Sequence, residues 1–171
     1  PCDCRIALCK GNGQSLQYSK GESMAKGFLE VFPDLHMTTE MEELLKLVDV
    51  ERVSSTRDRS SIRIYIVSQR LIHKKNIYDL EKGIREQLFP GKKLTIKIVE
   101  KYRLSGQYTP QKLFQVYKDS LLMELKHYSI IEYNILRRAE CTFPQENILR
   151  MTVEDNAVFR EKTSELKRIL E

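Results

Sequence analysis

An α+β fold, built as two small modules of helix–hairpin–helix order with antiparallel sheets, is what three patterns in this sequence predict. Ile62, Ile64 and Ile66 alternate with Arg63, Tyr65 and Val67, the period-two signature of a strand with one buried face. Ile77, Leu80, Ile84 and Leu88 recur at spacings of three and four, which marks an amphipathic helix. The same order of elements then returns after Ser105-Gly106-Gln107, without sequence identity between the copies.

Thr39 followed by Glu42 reads as a capping box and opens a short helix that buries Leu44, Leu45, Leu47 and Val48. Strands are expected over Glu51 to Asp58 and Ser61 to Ser68, joined by the polar turn Arg57-Asp58-Arg59-Ser60. A helix from about Lys75 to Phe89 stops at Pro90-Gly91, and Leu94, Ile96 and Ile98 alternate in a third strand. In the second module Thr109 caps a helix with Pro110 at its first position. Its apolar face is Phe114, Tyr117, Leu121, Leu125 and Tyr128, with a continuation through Ile131 to Leu136. Ala139, Cys141 and Phe143 alternate, Pro144 to Asn147 turns, and Leu149, Met151 and Val153 alternate back. Asp155 then caps a final helix carrying Phe159, Leu166 and Leu170. The closing strand found in the first module has no counterpart before Glu171, so the second module is expected to be truncated and the less stable of the two.

The 171 residues hold one ordinary domain or two small ones, and at 41% hydrophobic the chain can bury a core. No run of 18 apolar residues exists and the opening lacks a signal-peptide pattern, which points to a cytoplasmic protein with no membrane partner. Pro1 to Ser23 is polar and rich in Gly and Ser, so residues 1–26 are expected to be a disordered extension. Cys2, Cys4 and Cys9 do not have zinc-ligand spacing, and no metal is expected there.

The net charge of +5 is unevenly spread. Phe28 to Asp49 sets six acids against Lys46, and Glu40, Glu42 and Glu43 form a candidate acidic docking face. Val50 to Arg103 has fourteen Lys and Arg against six acids. Arg57, Arg59, Arg63, Lys74, Lys75, Lys92, Lys93, Lys97, Lys101 and Arg103 are the candidate contacts to phosphate, single-stranded DNA included, or to an acidic partner protein.

Catalytic signatures are missing. His36, His73 and His127 have no metal-ligand spacing, Ser105-Gly106-Gln107 is no phosphate loop, and no catalytic residue or cofactor site is assigned. The helix–strand–strand–helix units are compatible with a KH-like fold, but no Gly-x-x-Gly exists to clamp nucleic acid as KH domains do.

The phrases Thr56-Arg57-Asp58-Arg59-Ser60-Ser61-Ile62-Arg63-Ile64-Tyr65-Ile66, Arg70-Leu71-Ile72-His73-Lys74-Lys75, Leu88-Phe89-Pro90-Gly91-Lys92 and Glu100-Lys101-Tyr102-Arg103-Leu104-Ser105-Gly106-Gln107-Tyr108-Thr109-Pro110 carry a resemblance. Over about Met24 to Glu171 the chain resembles the N-terminal region of the PolC-type DNA polymerase III alpha subunit of Gram-positive bacteria, most densely its clostridial members. The resemblance implies N-terminal domain I over 27–103 and domain II over 104–171. It implies a non-catalytic segment of a DNA-directed DNA polymerase that docks to replisome proteins, a clamp-loader-associated subunit among them. The family's polymerase, 3'–5' exonuclease and divalent-metal chemistry lies in other parts of its chain. A nucleic-acid-binding module using the basic 50–103 segment is the alternative, and a free-standing small enzyme the third reading.

Overall fold

The computed structural model describes residues 2–7, 25–106 and 108–170. In chain order the elements are β1 (Cys2–Ala7), β2 (Lys26–Gly27), α1 (Phe28–Val31), α2 (Thr39–Leu45), β3 (Val48–Ser55), β4 (Ser61–Ser68), α3 (Lys74–Leu88), β5 (Thr95–Tyr102), α4 (Pro110–Tyr128), α5 (Ile130–Arg138), β6 (Glu140–Gln145), β7 (Ile148–Val153) and α6 (Ala157–Leu170). They form two compact units: a central one over residues 18–105, and a terminal one over residues 1–17 and 106–171. The fold class is α+β.

In the central unit the strand order is β2-β3-β4-β5. Val48, Val50, Ile64, Ile66, Ile96 and Ile98 join Ile77, Leu80 and Ile84 of α3 in one buried cluster with Phe28, Leu35, Leu45 and Ile72. Each large side chain fully buried in this way contributes about 1.5–3 kcal/mol of transfer free energy. The sheet is not wholly antiparallel, as the sequence reading has it: β4 and β5 run parallel, with Ser61 beside Thr95 and Ser68 beside Tyr102. The cause is the connection, since α3 carries the chain back along the sheet before β5 begins. Phe89-Pro90-Gly91-Lys92 makes the return. Lys92 N donates to Phe89 O over 3.2 Å, and Gly91 sits at φ 73°. Proline followed by a left-handed glycine is the type II arrangement, which a side chain at position 91 would strain.

Two boundaries shift from expectation. Thr38, not Thr39, caps α2, its hydroxyl accepting from Met41 N. Strand β3 begins at Val48 because Val48 and Val50 are both core residues, while Arg57 and Asp58 belong to the turn. A single helix links β4 to β5, so the two-helix KH grip has no place here.

In the terminal unit α4 starts at Pro110 with the Thr109 hydroxyl as cap. It ends at Tyr128, which is 66% exposed and does not extend the apolar face as expected. Ser129 stands at the N-cap position of a separate helix, α5, and its hydroxyl donates to the buried carboxylate of Glu132 rather than accepting from a helix N–H. Ser129-x-x-Glu132 has the spacing of a capping box, but the two side chains bond each other instead of the backbone N–H groups. The hairpin β6–β7 turns at Glu146-Asn147, and Pro144 falls on the edge strand where the register shifts, a position that needs no ladder donor. Asn156, not Asp155, caps α6 by accepting from Phe159 N over 2.9 Å. Asp155 instead holds Arg160 through two bonds of 2.6 Å. Leu125, Ile135, Leu136, Leu149, Met151, Val153 and Leu166 are the core of this unit.

The sheet of the terminal unit has three strands, in the order β1-β7-β6. Cys2–Ala7 pairs antiparallel with β7, Cys2 beside Val153 and Ala7 beside Ile148. Six residues of the segment expected to be disordered are therefore a strand, and the β7 edge expected to lie open is paired. The physical reason is the row of N–H and C=O groups on β7, which offers a template for any extended segment within reach. Residues 8–24, and with them Cys9, lie outside the described residues, as do the side chains of Cys2 and Cys4 on which the expected absence of a metal rests.

Candidate functional site

The face of the central sheet turned away from α3 is reached by alternation along β4. Ile64 and Ile66 point into the core, so Arg63 and Tyr65 point out. Strand β3 would place Val50 and Arg52 on one side, were it regular. The register shifts between them: Val50 faces Ile66 while Arg52 faces Tyr65, leaving Glu51 as an extra residue. This bulge re-aims the strand and puts Arg52 on the outer face. Its guanidinium lies 4.0 Å from the centroid of the Tyr65 ring. Hydrogen bonding to Arg63 pulls the Tyr65 phenol below its ordinary pKa, and Arg52 adds to the effect by hydrogen bonding and charge.

Arg57 and Arg59 occupy the β3–β4 turn at the tip of this hairpin. Asp58 between them accepts from Ser60 N over 3.2 Å, and hydrogen bonds from Thr56 and Ser60 hold its carboxyl at a pKa of about 2. Arg59 has φ 55°, a left-handed conformation that disfavours any residue with a Cβ. Because β4 and β5 are parallel, Lys92 and Lys93, just before β5, lie at the same end of the sheet as this turn. Thr95 N donates to Ser60 O over 2.9 Å and joins the two connections.

The other sequence candidates separate. Lys74 is buried, its ammonium 2.6 Å from Glu100 with side chains 5% and 10% exposed, so it leaves the set of surface contacts and ties α3 to β5. Lys97 reaches Glu81 of α3 at 3.8 Å and lies 5.6 Å from the Tyr78 ring. Glu81 also accepts from Ile98 N over 2.8 Å, satisfying a donor of the edge strand. Lys101 pairs with Glu51 at 3.8 Å. Lys75 and Arg103 are exposed near the opposite end of β4 from the turn. The structure thus brings Arg57, Arg59, Arg63, Lys92 and Lys93 to one end of the hairpin sheet and adds Arg52 and Tyr65. Sequence reasoning missed that pair because a bulge leaves no mark in a hydrophobic pattern.

A second feature of the central unit is a groove of about 410 Å³ between the Leu35–Met41 segment and α3. Leu35, Met37, Met41 and Leu80 supply apolar lining, and Glu40, Lys75 and Asp79 supply charge. Gln87 fixes the segment by accepting from His36 N and donating to His36 O, each over 2.8 Å. Of the acidic candidates only Glu40 lines the groove; Glu42 is exposed on α2, and Glu43 is exposed and paired with Lys46. Among the described residues no group of three His, Cys, Asp or Glu side chains is placed to hold a metal ion. No helix among them is long and apolar enough to cross a membrane.

Residues 27–98 match the family model described as DNA polymerase III polC-type N-terminus I. The match runs from Gly27 of β2 into β5 and takes in the whole hairpin and the groove. This segment is similar to the polC-type N-terminus I domain. Neither the curated proteins nor the solved structures compared with the chain contain a match. The matched segment comprises α1, α2, β3, β4, α3 and the first half of β5, nearly all of the central unit, and the terminal unit lies outside it.

Proposed function

We propose that this chain is a non-catalytic N-terminal segment of a replicative, PolC-type DNA-directed DNA polymerase and that it docks the polymerase to another replisome protein. The observation that carries the reading is the match of residues 27–98 to polC-type N-terminus I. The groove between the Leu35–Met41 segment and α3 supports it. Methionines such as Met37 and Met41 adapt to an apolar partner side chain, and Glu40 with the neighbouring Glu42 and Glu43 favours a partner segment carrying Lys or Arg. A clamp-loader-associated subunit is the partner class to try first. The work belongs in the cytoplasm, and nucleotidyl transfer, proofreading and their divalent metals belong to other parts of the polymerase.

The test is charge reversal of Glu40, Glu42 and Glu43 to Lys in the polymerase. Affinity for the clamp-loader-associated subunit is expected to fall at least about tenfold, since like charges then face each other across the contact. Primer extension by the polymerase alone should be unchanged. Unaltered affinity in the reversed variant would remove the acidic helix from the docking face.

A further inference from the structure

We propose that the outer face of the β3–β4 hairpin binds single-stranded nucleic acid, with the stacked pair Arg52–Tyr65 taking a base and Arg57, Arg59 and Arg63 taking phosphates. From Arg52 to Tyr65 the hairpin carries four arginines against the one carboxylate of Asp58. That carboxylate is turned to the hydroxyls and backbone of its own turn. The charge is concentrated where a polyanion would lie, and Lys92 and Lys93 extend it at the same end of the sheet.

Charge alone would suit an acidic protein equally well. The bulge distinguishes the two, because it places a guanidinium over an aromatic ring, 4.0 Å from its centroid, on the outer face of the sheet. Unstacked bases pack on aromatic rings and on arginine planes, and a sheet surface that alternates such groups with cations follows a single strand without reading its sequence. Arg59 is the second indication. Its φ of 55° is one that glycine or asparagine would hold with less strain, so a long cation stands at the hairpin tip against local preference. The bases that are tied up elsewhere, Lys74 with Glu100 and Lys97 with Glu81, are not needed for this surface.

The experiment titrates an oligothymidylate of about 15 nucleotides with the 171-residue chain, following fluorescence anisotropy across a salt series. The expected affinity falls with salt with a logarithmic slope of roughly −2, as about three neutralised phosphates require on a single strand. Arg52→Ala and Arg63→Ala should each weaken binding, Arg63→Ala flattening the slope by about 0.7. Tyr65→Leu should weaken it about tenfold and Tyr65→Phe little, since the ring does the stacking. Arg59→Gly should lower affinity while raising the melting temperature, which separates loss of contact from loss of fold. Duplex DNA or polyglutamate binding as tightly as the single strand would overturn the proposal. So would an affinity that Arg59→Gly, Arg52→Ala and Arg63→Ala all leave untouched.

Discussion

Arg59 holds a left-handed backbone in the tight turn between two strands, with its N–H donating to Thr56 O over 3.0 Å. A Cβ in that region costs about 1–2 kcal/mol, part of which glycine gives back through its greater freedom in the unfolded chain. Arg59→Gly should therefore stabilise the central unit by about 0.5–1 kcal/mol in urea unfolding; destabilisation would mean that the arginine side chain makes compensating contacts. Asp58 beside it has a folded pKa of about 2 against an ordinary 3.8. A depressed carboxyl stabilises the fold above its unfolded pKa and loses that contribution as pH falls through the folded one. The turn should thus weaken between about pH 4 and pH 2, and Asp58→Ala should be insensitive over the same interval. Monitoring the Ser60 amide by NMR through an acid titration checks this. Lys74 and Glu100 behave differently because they are buried. Glu100→Gln removes the counter-charge of a buried ammonium and should cost about 3–5 kcal/mol, whereas replacing both with Met and Leu should recover much of the loss. Equal losses in the single and double variants would assign the effect to packing. None of these three residue roles is visible in sequence alone: the turn chemistry was, but not which arginine takes the positive φ, nor which lysine finds a buried partner.

Elements with a local signal are the ones the sequence yields. Helix α3 follows from Ile77, Leu80 and Ile84, strand β4 from Ile64 and Ile66, and α4 from the adjacent Thr109-Pro110. What is lost is long-range. The parallel sense of β5 depends on where α3 delivers the chain, and the Glu51 bulge depends on what β4 offers opposite. Even a cap can be ambiguous, since Thr38 and Thr39 both precede a helical turn and only the backbone decides between them. The bulge can be tested as an element. Deleting Glu51 removes the extra residue, so Val50 still faces Ile66 and Arg52 still faces Tyr65, now in regular alternation with Arg52 kept on the outer face. The expected result in urea unfolding is a change within about 1 kcal/mol of that of Glu51→Ala, which removes only an exposed pair with Lys101; a much larger loss would mean that the bulge itself holds the sheet together.

The path of the chain between its two units makes their independence unequal. Residues 25–105 contain every member of the central core cluster and all four strands of that sheet. Residues 106–170 contain the terminal core cluster but only two of its three strands, because β1 comes from the other end of the chain. A two-stranded ribbon covered by helices is a weaker base than a three-stranded sheet, and it exposes the β7 edge to pairing with other molecules. The fragment 25–105 should therefore unfold cooperatively near the temperature at which its core melts in the whole chain. The fragment 106–171 should melt well below its counterpart and self-associate at higher concentration. Differential scanning calorimetry with sedimentation measures both. In the intact chain, deleting Cys2–Ala7 should speed hydrogen exchange in β7 while leaving Ile64 and Ile66 unchanged, since those amides belong to a separate core. If exchange in β7 does not respond, β1 contributes nothing to the terminal unit. If Ile64 responds as strongly, the two units unfold as one.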